Sequence, residues 1–426
     1  MLFSNIQRMK IIFSNMEFHT TFEKQIIQNM KIIHFIKFLP VLFAVILFQK
    51  AYSQSLPTGQ EIQYNPITTA VPFLTITPDS RHGAMGDVGV ATSPDANAQY
   101  WNPSKYAFTK DNFGFALSYT PWLRQLVNDI NLAYLAGYYK LDPYQTFGAS
   151  LRYFSMGNVI LTDQNGTNLA NVSPNEFAFD ISYSRKLSDN FSGGIALRYI
   201  RSDLSGGIGA ETYSPGHAFS SDVSFYYNKN FGESSNDQSV SAGINLSNIG
   251  SKISYDDGQN KEFLPANLRL GATYSKEFDS NNSIALSFDL NKLMVPTPKP
   301  STGTANGSGG IVLPDNYSNM SVVSSIFSSF TDAPGGMKEE FREINYSTGV
   351  EYWYNHQFAI RGGYFHESEF KGNRKFFSTG LGIKMNICSI DFSYLIPIHQ
   401  NNPLANTIRF TLLFDIKSFT KTKKEE

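Results

Sequence analysis

The sequence predicts an all-β protein: a transmembrane antiparallel β-barrel of about 14 strands, with an N-terminal small-residue plug segment and long extracellular loops. Three observations carry this expectation. From Asn112 onward apolar and polar residues alternate with period two, the signature of strands with two unlike faces. The connectors sort by parity, tight turns at one end and long loops at the other, as in barrels that span a membrane. The composition is 41% hydrophobic and rich in Tyr and Phe, yet no stretch past residue 50 approaches the roughly 20 apolar residues of a spanning helix.

Taken in order, residues 1–29 read as an over-extended start and 30–53 as a secretory signal peptide. Lys31 and Lys37 are basic, Phe38 to Phe48 is apolar, and Ala51-Tyr52-Ser53 is a small-x-small cleavage site, the three regions of such a leader. A membrane anchor is the competing reading, but the apolar core is short and runs straight into the cleavage site. The mature chain is expected to begin near Gln54, with 54–110 an N-terminal segment and 111–426 the barrel.

Within 54–110 the stretch "RHGAMGDVGVATSPDANAQYWNPS", Arg81 to Ser104, matches no strand pattern. Gly83, Gly86 and Gly89 are spaced three apart, and Asn102-Pro103 marks a turn. An ordinary glycine-rich turn is one reading. A compact plug inside the barrel, marked by Gly83, Gly86, Asp95, Asn102 and Pro103, is the other. The run is similar to the hatch motif of FadL-like outer-membrane proteins.

The strands carry the fold. In "FAFDISYS" Phe177, Phe179, Ile181 and Tyr183 share one face and Asp180, Ser182 and Ser184 the other. "IALRYIR", "LRLGATY", "IALSFDL" and "IRFTLLF" repeat the pattern around Arg198, Arg269, Asp289 and Arg409. A soluble β-sandwich would alternate too, but would not sort its loops by parity. The predicted inner face carries both signs: Arg152, Arg198, Arg269, Arg361, Lys384 and Arg409 against Asp180, Asp222, Asp289, Glu351, Asp391 and Asp415. An ion-selective pore would show a ring of one sign, whereas balanced charges predict pairing and an occluded lumen. Inner glycines and alanines (Gly114, Ala116, Gly271, Gly363, Gly380, Gly382) leave room for an inserted segment.

Residues 293–344 form a long extracellular insertion. A Pro- and Gly/Ser-rich linker precedes Val322, Val323, Ile326, Phe327 and Phe330 at helical spacing, and "MKEEFREI" reads as a second short helix. The apolar face either caps the barrel's own mouth or docks a partner. The formal net charge of -1 gives nucleic acid no basic footprint. A single cysteine, Cys388, excludes an internal disulfide, and no Cys/His cluster implies a metal or cofactor. No catalytic constellation stands out: Gly206-Gly207-Ile208-Gly209 has no helix after it, and His217, His366, Glu367 and His399 sit in loops or at strand ends.

With the strands placed, a closer likeness emerges. "PDSRHGAMGDVGVATSPDANAQYWNPSKYAF", "SYTPWLRQLVNDINLAYLAGYYK", "SSFTDAPGG" and "GVEYWYNHQFAIRGGYFHE…KGNRKFFSTGLG" resemble the PorV/PorQ family of the type IX secretion system. The resemblance implies an outer-membrane barrel that is not an enzyme. It would bind the C-terminal domains of secreted cargo leaving a large translocon barrel and hand them to a PorU-like sortase attachment complex, surrounded by outer-membrane lipid. On exposure and loop parity, contact is expected at Phe327, Phe330, Thr331, Asp332 and Pro334. The rival reading is a FadL-like transporter of fatty acids or other hydrophobic molecules.

Overall fold

Fourteen strands close on themselves in a computed structural model. It describes residues 65–416 apart from 125–126, 164, 207–213, 232–236, 301–310, 313–316, 318, 399–403 and 405. The expected leader and the residues before it, the glycines after Gly206, His399 and the basic tail lie outside these residues. The strands are β1 Phe113–Pro121, β2 Asn131–Lys140, β3 Gln145–Ser155, β4 Asn175–Ser188, β5 Phe191–Asp203, β6 Gly216–Phe231 and β7 Gln238–Gly250. They continue as β8 Asn267–Asp279, β9 Asn282–Leu293, β10 Asn345–Tyr354, β11 Phe358–His366, β12 Lys375–Met385, β13 Cys388–Pro397 and β14 Ile408–Ile416. Every strand pairs antiparallel with its sequence neighbours, and β1 pairs with β14. A closed ring leaves no strand edge unpaired, which hydrocarbon demands.

The two faces are the inverse of a soluble protein. On β5 Leu197 is 58% exposed while its neighbour Arg198 is 4% exposed. Likewise Phe179, Ile181, Leu270, Leu286, Phe288, Phe410 and Leu412 point out, and Asp180, Ser182, Arg269, Asp289, Arg409 and Thr411 are buried inside. The outward apolar belt is stable only against lipid, so the barrel spans a membrane. Among the described residues no helix is long and apolar enough to do so.

Register sets the electrostatics. Asp180 lies opposite Arg198 and Glu351 opposite Arg361, so unlike charges meet on one face of adjacent strands. Tight turns join β2 to β3, β4 to β5 and β12 to β13, while the long connections emerge at the other end. The connection 156–174 holds an unexpected small hairpin, Val159–Thr162 with Asn168–Val172. Two short helices, Val322–Ser328 and Met337–Arg342, stand in the insertion between β9 and β10.

Candidate functional site: the lumen segment and the long-loop mouth

Residues 79–108 contact the inner face of the barrel all the way round. Ser80 N donates to Thr411 Oγ1 on β14 at 2.9 Å, and Gly86 N to Ser378 Oγ on β12 at 2.7 Å. Gly89 N and Val90 N both donate to Asp289 Oδ2 on β9, at 2.7 and 3.0 Å. On the opposite wall Asn102 Nδ2 donates to Phe225 O on β6, Asn245 Nδ2 on β7 to Trp101 O, and Ser192 Oγ on β5 to Ser104 O. Each bond satisfies a polar group buried away from water, where an orphan costs about 1–3 kcal/mol.

The segment's own fold follows from local chemistry. Asp79 caps the short helix Ser80–Gly83 by accepting from His82 N. The same carboxylate meets His82 Nδ1 at 2.6 Å and accepts from Trp101 Nε1 at 2.8 Å. His82 Nε2 lies 3.0 Å from Thr92 Oγ1, and Lys105 Nζ donates to Thr92 Oγ1 and Gly89 O. An Asp–His–Thr–Lys array has the residue types of acid–base catalysis. Asp79, His82 and Lys105 are all fully buried, however, so here the array is a clasp. Sequence reading overlooked it, although an Asp three residues ahead of a His at a helix start is a cap signal.

Each predicted plug residue has a definite place. Gly86 has φ +71°, and a Cβ there would sit 2.5 Å from Tyr364 N, so only glycine fits. Gly83 lies under the Arg409 guanidinium. Asp95 accepts from Arg81 Nη1 at 2.8 Å. Asn102 accepts from Ser104 N and opens the turn Pro103–Phe108. Of the inner small residues, Gly271, Gly363 and Gly380 face this segment. Gly114 and Gly382 instead make room for wall side chains, Tyr138 and the Arg361–Asp391 pair.

The lumen charges pair largely as expected. Arg361 bonds Glu351 at 2.7 Å and Asp391 at 2.6 Å, while Arg81 reaches Glu351 and Asp95, both at 2.8 Å. Arg198 sits between Asp180 and Asp222 and also donates to Asn248 Oδ1. Two hollows lie on either side of the segment. One, of about 470 Å³ at the long-loop end, has Thr77, Asp87 and Trp101 in its floor. The other, of about 320 Å³ at the short-turn end, is lined by Arg81, Asp95 and Lys384.

Above the first hollow sits the insertion. Ser321 Oγ caps the helix Val322–Ser328 by accepting from Ser324 N. Its apolar residues divide where the spacing suggested one face. Val322 and Ile326 pack on Phe263, Met294 and Tyr317, whereas Val323 and Phe327 point away, Phe327 being 74% exposed. The second helix is anchored by charge: Lys292 Nζ reaches Glu340 at 3.0 Å and Glu343 at 2.6 Å, and Lys371 Nζ reaches Glu339 and Glu343. Burial favours the neutral form of Glu339, but hydrogen bonds from Lys371 and Asn65 outweigh it and hold the carboxyl below its usual range. Met337 and Phe341, on the far side, are exposed.

Of the five expected contact residues, Phe327, Phe330, Thr331 and Pro334 are exposed, with the Phe330 ring 5.7 Å from Lys292 Nζ. Asp332 turns inward, accepting from Thr297 N at 3.2 Å, and burial raises its carboxyl above the ordinary value.

Among solved structures, the toluene transporter TbuX of Ralstonia pickettii is 12% identical with a TM-score of 0.42, covering 80% of this chain and 97% of that one. The Pseudomonas putida toluene transporter TodX gives 13% and 0.42, over 78% and 95%. A Pseudomonas aeruginosa FadL homologue gives 12% and 0.39, over 82% and 99%. At these scores the likenesses carry no argument. None of the curated proteins compared matches the chain. The family model "Type IX secretion system protein PorV" matches residues 59–300, more than half of the sequence. The chain therefore belongs to the PorV family, outer-membrane β-barrel proteins of the type IX secretion system.

Proposed function

We propose that the protein is a cargo carrier: it binds the C-terminal domain of secreted proteins leaving the large translocon barrel and delivers them to a PorU-like sortase attachment complex. The observation that carries this reading is the mouth insertion, held to the barrel by buried ion pairs yet presenting Val323, Phe327, Met337 and Phe341 outward. An exposed apolar cluster on a well-anchored element is the usual mark of a protein interface. Phe327, Phe330, Thr331 and Pro334 are its contact residues, and Asp332 shapes the turn between the helices.

The lumen segment acts as a permanent plug, so the barrel is a platform rather than a pore. A FadL-like route for hydrophobic molecules would need an apolar path, and the inner wall instead carries Arg198, Arg361, Glu351 and Asp391.

The deciding experiment deletes 315–336 in cells. The expected outcome is a barrel still in the outer membrane with cargo retained inside the cell. Normal secretion by this variant would refute the carrier reading. A C-terminally tagged chain, extracted gently, is expected to bring down several secreted proteins sharing a C-terminal β-domain together with a very large barrel. Single-channel recording tests the plug, and conductance like that of an open porin would refute it.

A further inference from the structure

The buried arginines of the lumen fall into two groups. Arg81, Arg198 and Arg361 each hold two carboxylates. Arg152, Arg269 and Arg409 form no ion pair among the described residues. Arg152 donates to Leu74 O and stacks on Tyr100. Arg269 donates to Tyr100 O and Tyr100 Oη, at 3.3 and 3.0 Å. Arg409 has less: it is 1% exposed, and neither Nε nor Nη1 has a hydrogen-bond partner among the described residues.

Arg269 and Arg409 both line the 470 Å³ hollow at the long-loop end. The acids around it are otherwise engaged. Glu367 is gripped by Arg374 at 2.7 and 2.9 Å, and Glu343 by Lys292, Lys371 and Thr297. Asp87, the remaining carboxylate of the lining, lies near enough to feel the charge of Arg409 but is not in ion-pair contact with it, and its Oδ1 has no partner among the described residues. A guanidinium stripped of water and left unpaired is expensive. Arg152 and Arg269 are held by carbonyl, hydroxyl and ring contacts instead, so Arg409, with two buried nitrogens unpartnered among the described residues, is the one left open for a group that arrives from outside.

We propose that Arg409, with Arg269 beside it, anchors an oxyanion site: a carboxylate at the end of a slender chain that enters the hollow from the long-loop mouth. Arginine's planar fork suits a carboxylate held by two parallel bonds. The volume far exceeds the roughly 30 Å³ share of one water. Phe365, Phe376 and Leu395 give the same hollow an apolar flank, so the anion comes on an organic tail rather than as free phosphate. The inference stands apart from the carrier reading, since it concerns the hollow and not the exposed helices.

The full chain in detergent micelles provides its own reporter, because Trp101 and Trp122 line the hollow. The probes are an N-acetylated hexapeptide of glycine and valine with a free terminal carboxylate, the same peptide as its amide, and laurate. Saturable tryptophan quenching by a carboxylate probe is expected, weakened at least tenfold, or 1.4 kcal/mol, by amidation or by Arg409→Gln. Arg409→Lys keeps the charge without the fork and is expected to fall between, and it serves as the folded variant should the glutamine chain not refold. Heat-modifiable migration in gels confirms folding. A peptide tighter than laurate identifies a chain terminus as the source, and the reverse identifies a fatty carboxylate. Equal binding of acid and amide, unchanged affinity in a folded Arg409→Gln barrel, or no quenching by any carboxylate at about 10 mM would overturn the site.

Discussion

The lumen segment and the mouth insertion are both additions to the same barrel, and they are built in opposite ways. Residues 79–108 are buried nearly throughout and hydrogen-bond to strands on every side. The insertion is fixed from below by Lys292 and Lys371 and turns its apolar side chains outward. A segment bonded to the wall on every side offers little free surface to a partner. One that exposes Phe327 and Phe341 above a rigid mount is complete only when something covers them. The contrast separates the part proposed to seal the barrel from the part proposed to engage cargo.

The strongest way to break the contrast is at Glu351, which serves Arg81 of the segment and Arg361 of the wall at once. Glu351→Gln keeps the shape and removes the charge, leaving two buried guanidinium groups without it. The expected loss is about 3–5 kcal/mol, read as a lower urea midpoint for refolded barrels in liposomes. Ion conductance is expected to rise as the segment loosens. An unchanged midpoint would mean the segment is not held by charge.

Next in size is the wall itself. Leu197 faces lipid midway along β5, and Leu197→Arg places a charge in hydrocarbon at an expected cost of about 2–4 kcal/mol. The same substitution at exposed Phe327 is expected to shift the midpoint by no more than about 0.5 kcal/mol, as at most surface sites. A similar penalty at both positions would show that Phe327 also touches the bilayer, and would sink its role as a free contact surface.

Phe327→Ser sharpens the functional half. Stability should hold within about 0.5 kcal/mol, while cargo co-purification drops at least tenfold if this ring is an interface anchor. Retained cargo in this variant would move the contact to Met337 and Phe341.

How much of this was legible beforehand follows from range. The strands were readable because alternation is local: Phe177 to Ser184 states both faces in eight letters, and the strand has those faces as read. Balanced charge forecast pairing, but not which pairs, since Arg361 meets Asp391 only through a register of neighbouring strands. Of the clasp, only the Asp79–His82 spacing could be read as a helix cap; Thr92 and Lys105 join it through the fold and not by spacing. The insertion misled in a different way. Five apolar residues near helical spacing suggested one face, but Val322 with Ile326 and Val323 with Phe327 are each four apart and project differently. Periodicity gives a stripe's existence without saying which of two adjacent stripes meets the core.

The smallest expected effect tests whether the mouth is a unit of its own. Ser321→Ala removes the hydroxyl that accepts from Ser324 N, a change that costs about 1 kcal/mol at a helix start. Because the helix Val322–Ser328 joins the barrel through Val322 and Ile326 alone among its apolar residues, that loss should stay local. Amide exchange within 322–328 is then expected to quicken about fivefold, with the barrel's urea midpoint unmoved. Should the midpoint fall by the full amount instead, helix and barrel open together. The insertion would then belong to the sealed part of the molecule, and the division between seal and docking surface would fail at its boundary.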